Sequence, residues 1–277
     1  MKIVVLSDNK KTCESFESEH GLSVYIETEN QRCLLDVGAS DIFIRNAERL
    51  GVDIKSVDLL FISHGHADHL GGLLPFLELN KKATVILSKY VINQKFFSKR
   101  NGFHSIGIEM NINLYKERFV YVESELQIDP EIRVFTTRSD TYPQPKANKT
   151  LFKDEGGGLV QDDFIHELIF TYGSEDLFVY SGCAHKGLLN ILDTVSLKTD
   201  KIIETVVGGF HLLDSNDLWQ FETSSEVDAI ATLLKSKYPH THFITGHCTG
   251  EKVYGNLKKH LGNQLDQFYS GYTSEIK

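Results

Sequence analysis

The stretch Ser63–Gly72 reads SHGHADHLGG. Three histidines and an aspartate stand among three glycines. A solvated loop has no use for that set. A hydrophobic core would have to satisfy every ring nitrogen and the carboxylate. The stretch therefore reads as a ligand set. The run that leads into it, VDLLFIS (Val57–Ser63), is continuously apolar, as expected of a strand buried on both faces. GLLPFLEL (Gly72–Leu79) predicts a helix behind it, with Pro75 tolerable in the first turn. The histidines thus fall where a strand gives way to a helix, the place where α/β folds build ligand crevices.

Three further segments repeat this design. SGCAH (Ser181–His185), GGFH (Gly208–His211) and TGHCTG (Thr245–Gly250) each follow an apolar strand and set glycine near histidine. Glycine permits tight turns and close backbone approach. Four strand ends are then expected to present His64, His66, Asp68, His69, His185, His211 and His247 to one rim.

The remaining chain supports an α/β reading. KIVVLSD (Lys2–Asp8), LSVYIET (Leu22–Thr28), RCLLDVG (Arg32–Gly38) and ATVILS (Ala83–Ser88) are strand-like runs. DIFIRNAERL (Asp41–Leu50) has helical apolar spacing, with Ser40 as its expected N-cap. Residues Lys89–Gly107 are expected to form a helix and loop, and Arg138–Val160 a long polar loop. Glu167–Tyr172 and Leu177–Gly182 predict a hairpin. Helices (Gly187–Val195, Ser224–Lys237, Glu251–Leu261) then alternate with strands (Ile202–Val207, His242–Thr245). With no repeat or linker, one domain over residues 1–277 is expected. Two halves, each a sheet with helices, predict a four-layer αβ/βα sandwich.

The bulk numbers narrow the function. A chain of 277 residues is ample to bury a core. Its net charge of −9 disfavours a phosphate backbone, so no nucleic-acid partner is expected. No run approaches the roughly 18 apolar residues of a membrane span. Cys13, Cys33, Cys183 and Cys248 form no CxxC pair and no disulfide framework. With no secretory leader read at the N-terminus, a reducing cytoplasm is expected.

The spacing H-x-H-x-D-H carries a specific chemistry. In an extended loop His64 and His66 can point the same way and grip one metal. Asp68 and His69 can turn to a second. Imidazole and carboxylate suit zinc, and also manganese or ferrous iron. Two such ions about 3.5–4 Å apart share a hydroxide that exists near neutral pH.

HGHADH (His64–His69) resembles the signature of the metallo-β-lactamase superfamily, with LLDVG before it, SGC after it and a late GH. More narrowly, SDN (Ser7–Asn9), HGL (His20–Leu22), SHGHADHLGGL, DDF with Glu167, SGCAHKG, VVGGFHL and TGHCTG are similar to one subfamily. That subfamily includes archaeal dihydropterin-forming ribofuranosylaminobenzene phosphate synthases. The resemblance implies the αβ/βα fold. It implies that His64 and His66 bind a first metal, and that Asp68, His69 and His247 bind a second. His185 falls at a further ligand position. The bridging position, usually aspartate, holds Cys183, and His185 is expected to stand in for it. Cys248 reads as a packing residue, and Cys183 as packing or a ligand; a ligand role is open for His211 too. His211 takes a proton-relay or substrate-binding place, and Asp36 would orient a ligand. His166 sits where it imitates a superfamily ligand, but the subfamily pattern does not call for histidine there. His20, His240, His242 and His260 read as structural or exposed.

The expected function is hydrolysis of a small phosphoester or similar metabolite by a metal-bridged hydroxide. Asp68 would orient the hydroxide and His211 would protonate the leaving group. Lys99, Arg100 and His104 could hold a substrate phosphate, or form a solvated face. The second expectation is a synthase or transferase acting on a pterin-like or phosphoribosyl substrate, which needs the same ligand set. A di-iron reductase fits less well, because such proteins carry glutamate where this chain has His66. The acidic balance weighs against tRNA processing. The intact ligand set weighs against a purely sensory role.

Overall fold

The computed structural model describes residues 1–109 and 112–276. The chain divides into two compact units. The first comprises Met1–Glu123, Leu151–Leu168 and Phe268–Lys277, and the second Ser124–Thr150 and Ile169–Gln267.

The first unit is built on a seven-stranded sheet. Its order is Thr273–Glu275, Lys2–Ser7, Ser23–Glu27, Arg32–Leu35, Leu59–Phe61, Thr84–Ser88 and Phe119–Val122. The first four strands pair antiparallel and the rest parallel. Parallel neighbours need a crossover. The helix Ile42–Arg49 supplies one, and the helices Ala67–Leu70 and Leu73–Leu79 supply the next. Val4, Leu6, Leu34, Leu60 and Ile62 of the strand segments pack with Phe43, Ala47, Phe76 and Leu77 of the helices. The apolar run Val57–Ser63 is buried except at Asp58, and only its centre is strand. The expected cap is displaced by one residue. Asp41 holds the N-cap position without a side-chain capping bond, its carboxylate pairing with Arg45 instead, while Ser40 Oγ accepts the Ile42 N–H at 3.3 Å.

A second sheet in this unit joins Leu159–Gln161, Leu151–Asp154, Phe96–Ser98 and His104–Ser105. It corrects two expectations. Residues Lys89–Gly107 form a short 3-10 turn (Lys89–Val91) and a hairpin, not a helix and loop. The region Arg138–Val160 is not one loop, because it ends in the paired strands Leu151–Asp154 and Leu159–Gln161. Strands of two to four residues are too short to display alternation in sequence.

The second unit carries its own seven-stranded sheet. Its order is Leu265–Gln267, His242–Thr245, Ile202–Val207, Asp176–Tyr180, Leu168–Tyr172, Ile132–Thr136 and Glu125–Gln127. The hairpin Leu168–Tyr172/Asp176–Tyr180 is antiparallel as expected. The three pairings from Asp176–Tyr180 to Leu265–Gln267 are parallel. Helices Leu188–Lys198, Ser224–Lys237 and Glu251–Leu261 make the crossovers. A capping box between Thr223 and Glu226 starts the middle one. Val179, Val206 and Phe243 of the sheet pack with Ile191, Leu192, Ala231, Leu234 and Leu257 of these helices. Among the described residues, no helix is long and apolar enough to cross a membrane.

Gly71 and Gly72 close the opening stretch for a steric reason. Both have ordinary negative φ, so their backbone conformation is open to any residue. A Cβ at Gly71 would lie 2.2 Å from Ala39 O, and one at Gly72 would lie 2.2 Å from Val37 O. Glycine there lets the turn after His69 rest directly on the Val37–Ser40 backbone. Gly71→Ala or Gly72→Ala must push two backbone segments apart. Each is expected to cost about 1–3 kcal/mol, the usual penalty of overpacking. Urea unfolding of the variants checks this, and a midpoint equal to wild type would disprove the close approach.

Candidate metal centre

The site in the first unit starts from Asp36, at the end of the strand Arg32–Leu35. Asp36 adopts φ 60°, a left-handed conformation that aspartate tolerates better than most residues. Its buried carboxylate accepts from Ser63 N–H at 2.7 Å and from Ser63 Oγ at 2.6 Å, and it bonds His69 Nδ1 at 2.7 Å. A carboxylate only accepts, so His69 Nδ1 carries the proton and Nε2 presents the lone pair. The same reasoning reaches His64. Ser63 Oγ has one proton, and Asp36 takes it. Ser63 Oγ must then accept from His64 Nδ1, 2.9 Å away. His64, like His69, is left presenting Nε2.

The opening stretch brings its donors together. The His64 ring centroid lies 4.6 Å from that of His66 and 4.2 Å from that of His69. His66 is still extended, and the short helix Ala67–Leu70 begins immediately after it. Asp68 Oδ2 lies 3.8 Å from His69 Nε2 and 3.3 Å from His20 Nε2. Burial above all, with the neighbouring rings of His69 and His66, holds His64 well below the ordinary histidine value. Burial lowers His66 as well. Both rings are therefore neutral at neutral pH, which is the ligating form. Gly65 makes room for a ring, since a Cβ there would lie 2.4 Å from Phe96.

Three residues that the sequence reading set aside or passed over stand in this cluster. His20, read as structural or exposed, is exposed and faces Asp68. His166 accepts the Gly65 N–H on Nδ1 at 3.1 Å, and its Nε2 lies 3.1 Å from Asp162 Oδ2. Donor atoms of His66, Asp162 and His166 all lie within 4.8 Å of one another. Their sequence signals were the HGL and DDF motifs and, for His166, a place that imitates a superfamily ligand.

In the second unit three loops are tied together at the ends of parallel strands. Gly209 N–H donates to Gly182 O at 2.9 Å, and Gly208 N–H to Ile244 O at 3.2 Å. Gly208 has φ 145°, and a Cβ there would meet Ser181 O at 1.7 Å. These loops carry Cys183, His185, His211 and His247, all buried. The His185 and His211 rings are 4.1 Å apart. Asn148 lies 3.3 Å from His185 Nδ1 through Oδ1 and donates to His185 O at 2.8 Å. Ligand atoms of Cys183, His211 and Cys248 also lie within 4.8 Å of one another. The Cys248 thiol accepts the His211 N–H at 3.3 Å and faces Cys183 O at 3.6 Å. It therefore packs between loops, as the sequence suggested.

Lys99, Arg100 and His104 occupy the tip of the first unit's hairpin. Lys99 and His104 are exposed. Lys99 Nζ sits 4.1 Å above the Phe152 ring, and His104 Nδ1 bonds Gly102 O at 2.8 Å.

Buried neutral imidazoles with set tautomers, beside a carboxylate, are the donor set of a zinc-type ion. The class defined is an α/β protein with candidate metal ligands on the loops after its strands. The chain belongs to the metallo-beta-lactamase superfamily, whose family model matches residues 19–173. Proteins of this superfamily bind divalent metals, and most are metal-dependent hydrolases. The chain is 31% identical to Tm1679, a metal-dependent hydrolase of the beta-lactamase superfamily. That likeness covers 100% of this chain and 99% of the other, with a TM-score of 0.83. It is 27% identical to the 7,8-dihydropterin-6-methyl-4-(beta-D-ribofuranosyl)-aminobenzene-5'-phosphate synthase of Methanocaldococcus jannaschii, over 98% of this chain and 95% of that protein. The metallo-beta-lactamase fold protein YhfI of Bacillus subtilis shares the fold, at 11% identity and a TM-score of 0.60 over 99% of each chain.

Asp36→Asn keeps the size of the side chain and its tolerance of the left-handed backbone while removing the charge that holds His69. Loss of such an orienting carboxylate typically weakens a metal about 10–100-fold. Competition with a chromophoric chelator should show that drop. Unchanged affinity in a folded variant would remove Asp36 from the support of the site.

Proposed function

We propose that this chain is a metal-dependent hydrolase of a small metabolite, with a phosphoester or similar electrophile as substrate. The observation that carries the reading is the Asp36–Ser63 network, which leaves His64 and His69 both presenting Nε2 beside Asp68. His64 and His66 would hold one ion, and Asp68, His69 and His247 the second, with His185 as a further ligand. Two divalent ions, zinc first and manganese or iron as alternatives, would supply Lewis acidity and lower the pKa of water to roughly 7.

The chain's own residues do the rest. The Asp68 side chain is 21% exposed, so water reaches it, and its carboxylate can accept a proton from water and orient the attack. His211, buried beside His185, can give a proton to the departing oxygen. Lys99, Arg100 and His104 can attract an anionic group from the hairpin tip. The partner is a small molecule, and the net charge of −9 argues against nucleic acid. The four cysteines are unbridged thiols, which suits a reducing cytoplasm. Residues 1–277 would act as one catalytic domain.

A synthase or transferase is the second reading, favoured by the likeness to the pterin-related synthase. There metals held by the same residues would stabilise an anionic phosphate or pyrophosphate, and no water need attack.

Hydrolysis of a chromogenic phosphodiester by the zinc- or manganese-loaded protein tests the proposal, with metal counted. Asp68→Ala is expected to lower turnover at least about 10²-fold. Two bound ions without turnover would point to the synthase reading or to a narrow substrate gate. Less than one ion per chain would overturn the ligand set.

A further inference from the structure

Asp162 and His166 lie outside the ligand set just described, yet they are fastened to its loop. Two hydrogen bonds make the attachment. Leu168 N–H donates to Ser63 O at 2.7 Å, and Gly65 N–H donates to His166 Nδ1 at 3.1 Å. The loop Asp162–Leu168 therefore grips the backbone on either side of His64. Asp162 is itself held in place, since its Oδ1 accepts the Phe164 N–H at 2.9 Å.

We propose that Asp162 and His166 are positioning residues for His66, setting which of its nitrogens meets the metal. His166 accepts on Nδ1, so its proton is on Nε2 and points at Asp162 Oδ2, 3.1 Å away. The same oxygen lies 3.7 Å from His66 Nε2. The Asp162 side chain is fully enclosed. At that distance a lone pair on His66 Nε2 would face the carboxylate's own negative charge, whereas an N–H there would be attracted to it. The favoured form of His66 therefore carries its proton on Nε2, turned to Asp162, and offers Nδ1 to the metal. A cation on Nδ1 would make Nε2–H a stronger donor and draw the two groups together. With a cation on Nδ1, Asp162 would come to do for His66 what Asp36 does for His69 at 2.7 Å. His166 aims Asp162 and, through Gly65, fixes the peptide between the two ligand histidines. Phe96 seals this corner, with its ring centroid 4.3 Å from that of His166 and 5.5 Å from that of His66.

This inference rests on the metal-binding reading above, and its test separates the two. The full chain, with isotope-labelled histidine, is loaded with cadmium as a spin-active substitute for zinc, and bound metal is counted. Long-range proton–nitrogen spectra then show which nitrogen of His66 couples to metal and which carries hydrogen. The expected result is metal on Nδ1 and hydrogen on Nε2. Asp162→Asn should weaken cadmium about 10–100-fold. His166→Leu should weaken it similarly. His166→Gln should recover much of the loss, because an amide can accept from Gly65 and donate to Asp162 at once. Urea unfolding confirms that each variant is folded. Metal coupled to His66 Nε2 would overturn the proposal, as would folded Asp162→Asn or His166→Leu proteins with wild-type affinity. A wild-type chain that takes up no cadmium would overturn the metal reading and this inference with it, and the metal count alone identifies that case.

Discussion

One buried carboxylate organises the first unit's site. Asp36 joins the end of one strand to the start of the ligand loop through Ser63, and to the helix beyond that loop through His69. An ionised carboxylate with no partners in the interior would cost several kcal/mol. Three donors offset that cost. The arrangement has a chemical consequence, because each donor that bonds Asp36 has its proton committed. Once the Ser63 and His69 protons point at Asp36, the tautomers of both His64 and His69 follow. The same bonds that hold three segments together thus decide which lone pairs are presented.

The second unit solves a different problem, bringing three strand-end loops close enough to carry reactive side chains side by side. Its solution uses backbone conformations that few residues adopt willingly. Ala184, His211 and His247 are all left-handed, as Asp36 is in the first unit. Each such residue costs on the order of 1–3 kcal/mol and persists only where its surroundings over-determine it. The surroundings here are visible. Gly208 and Gly209 accept close backbone neighbours, Thr245 Oγ1 bonds Gly208 O at 2.8 Å, and the Cys248 thiol fills the space against Gly209. Two of the strained residues are the histidines that carry the proposed chemistry.

The legible part of this protein was the part written in local pattern. Long apolar runs marked the central strands, and glycine beside histidine marked the loops that follow them. The hairpin Phe96–Ser105 and the pair Leu151–Asp154/Leu159–Gln161 escaped, because strands that short hold no period to read. Ser40 was recognised as a cap but placed one residue off, since its hydroxyl reaches Ile42 from just outside the helix. The contacts of His20 and His166 are illegible for another reason. Nothing in HGL or in FIHEL states that one ring will meet Asp68 and the other will meet Gly65 and Asp162.

The sequence by itself determined the donor types, their spacing and their place between strand and helix. Those follow from neighbours a few positions apart, and elementary coordination chemistry turns them into a metal site. Only the tertiary structure decided which nitrogen each ring presents. A tautomer is set by the hydrogen bond on the opposite nitrogen, and the partners come from far along the chain. Asp36 is 33 residues from His69, and His166 is 101 residues from Gly65. Folding must bring such pairs together before either histidine has a defined lone pair to offer.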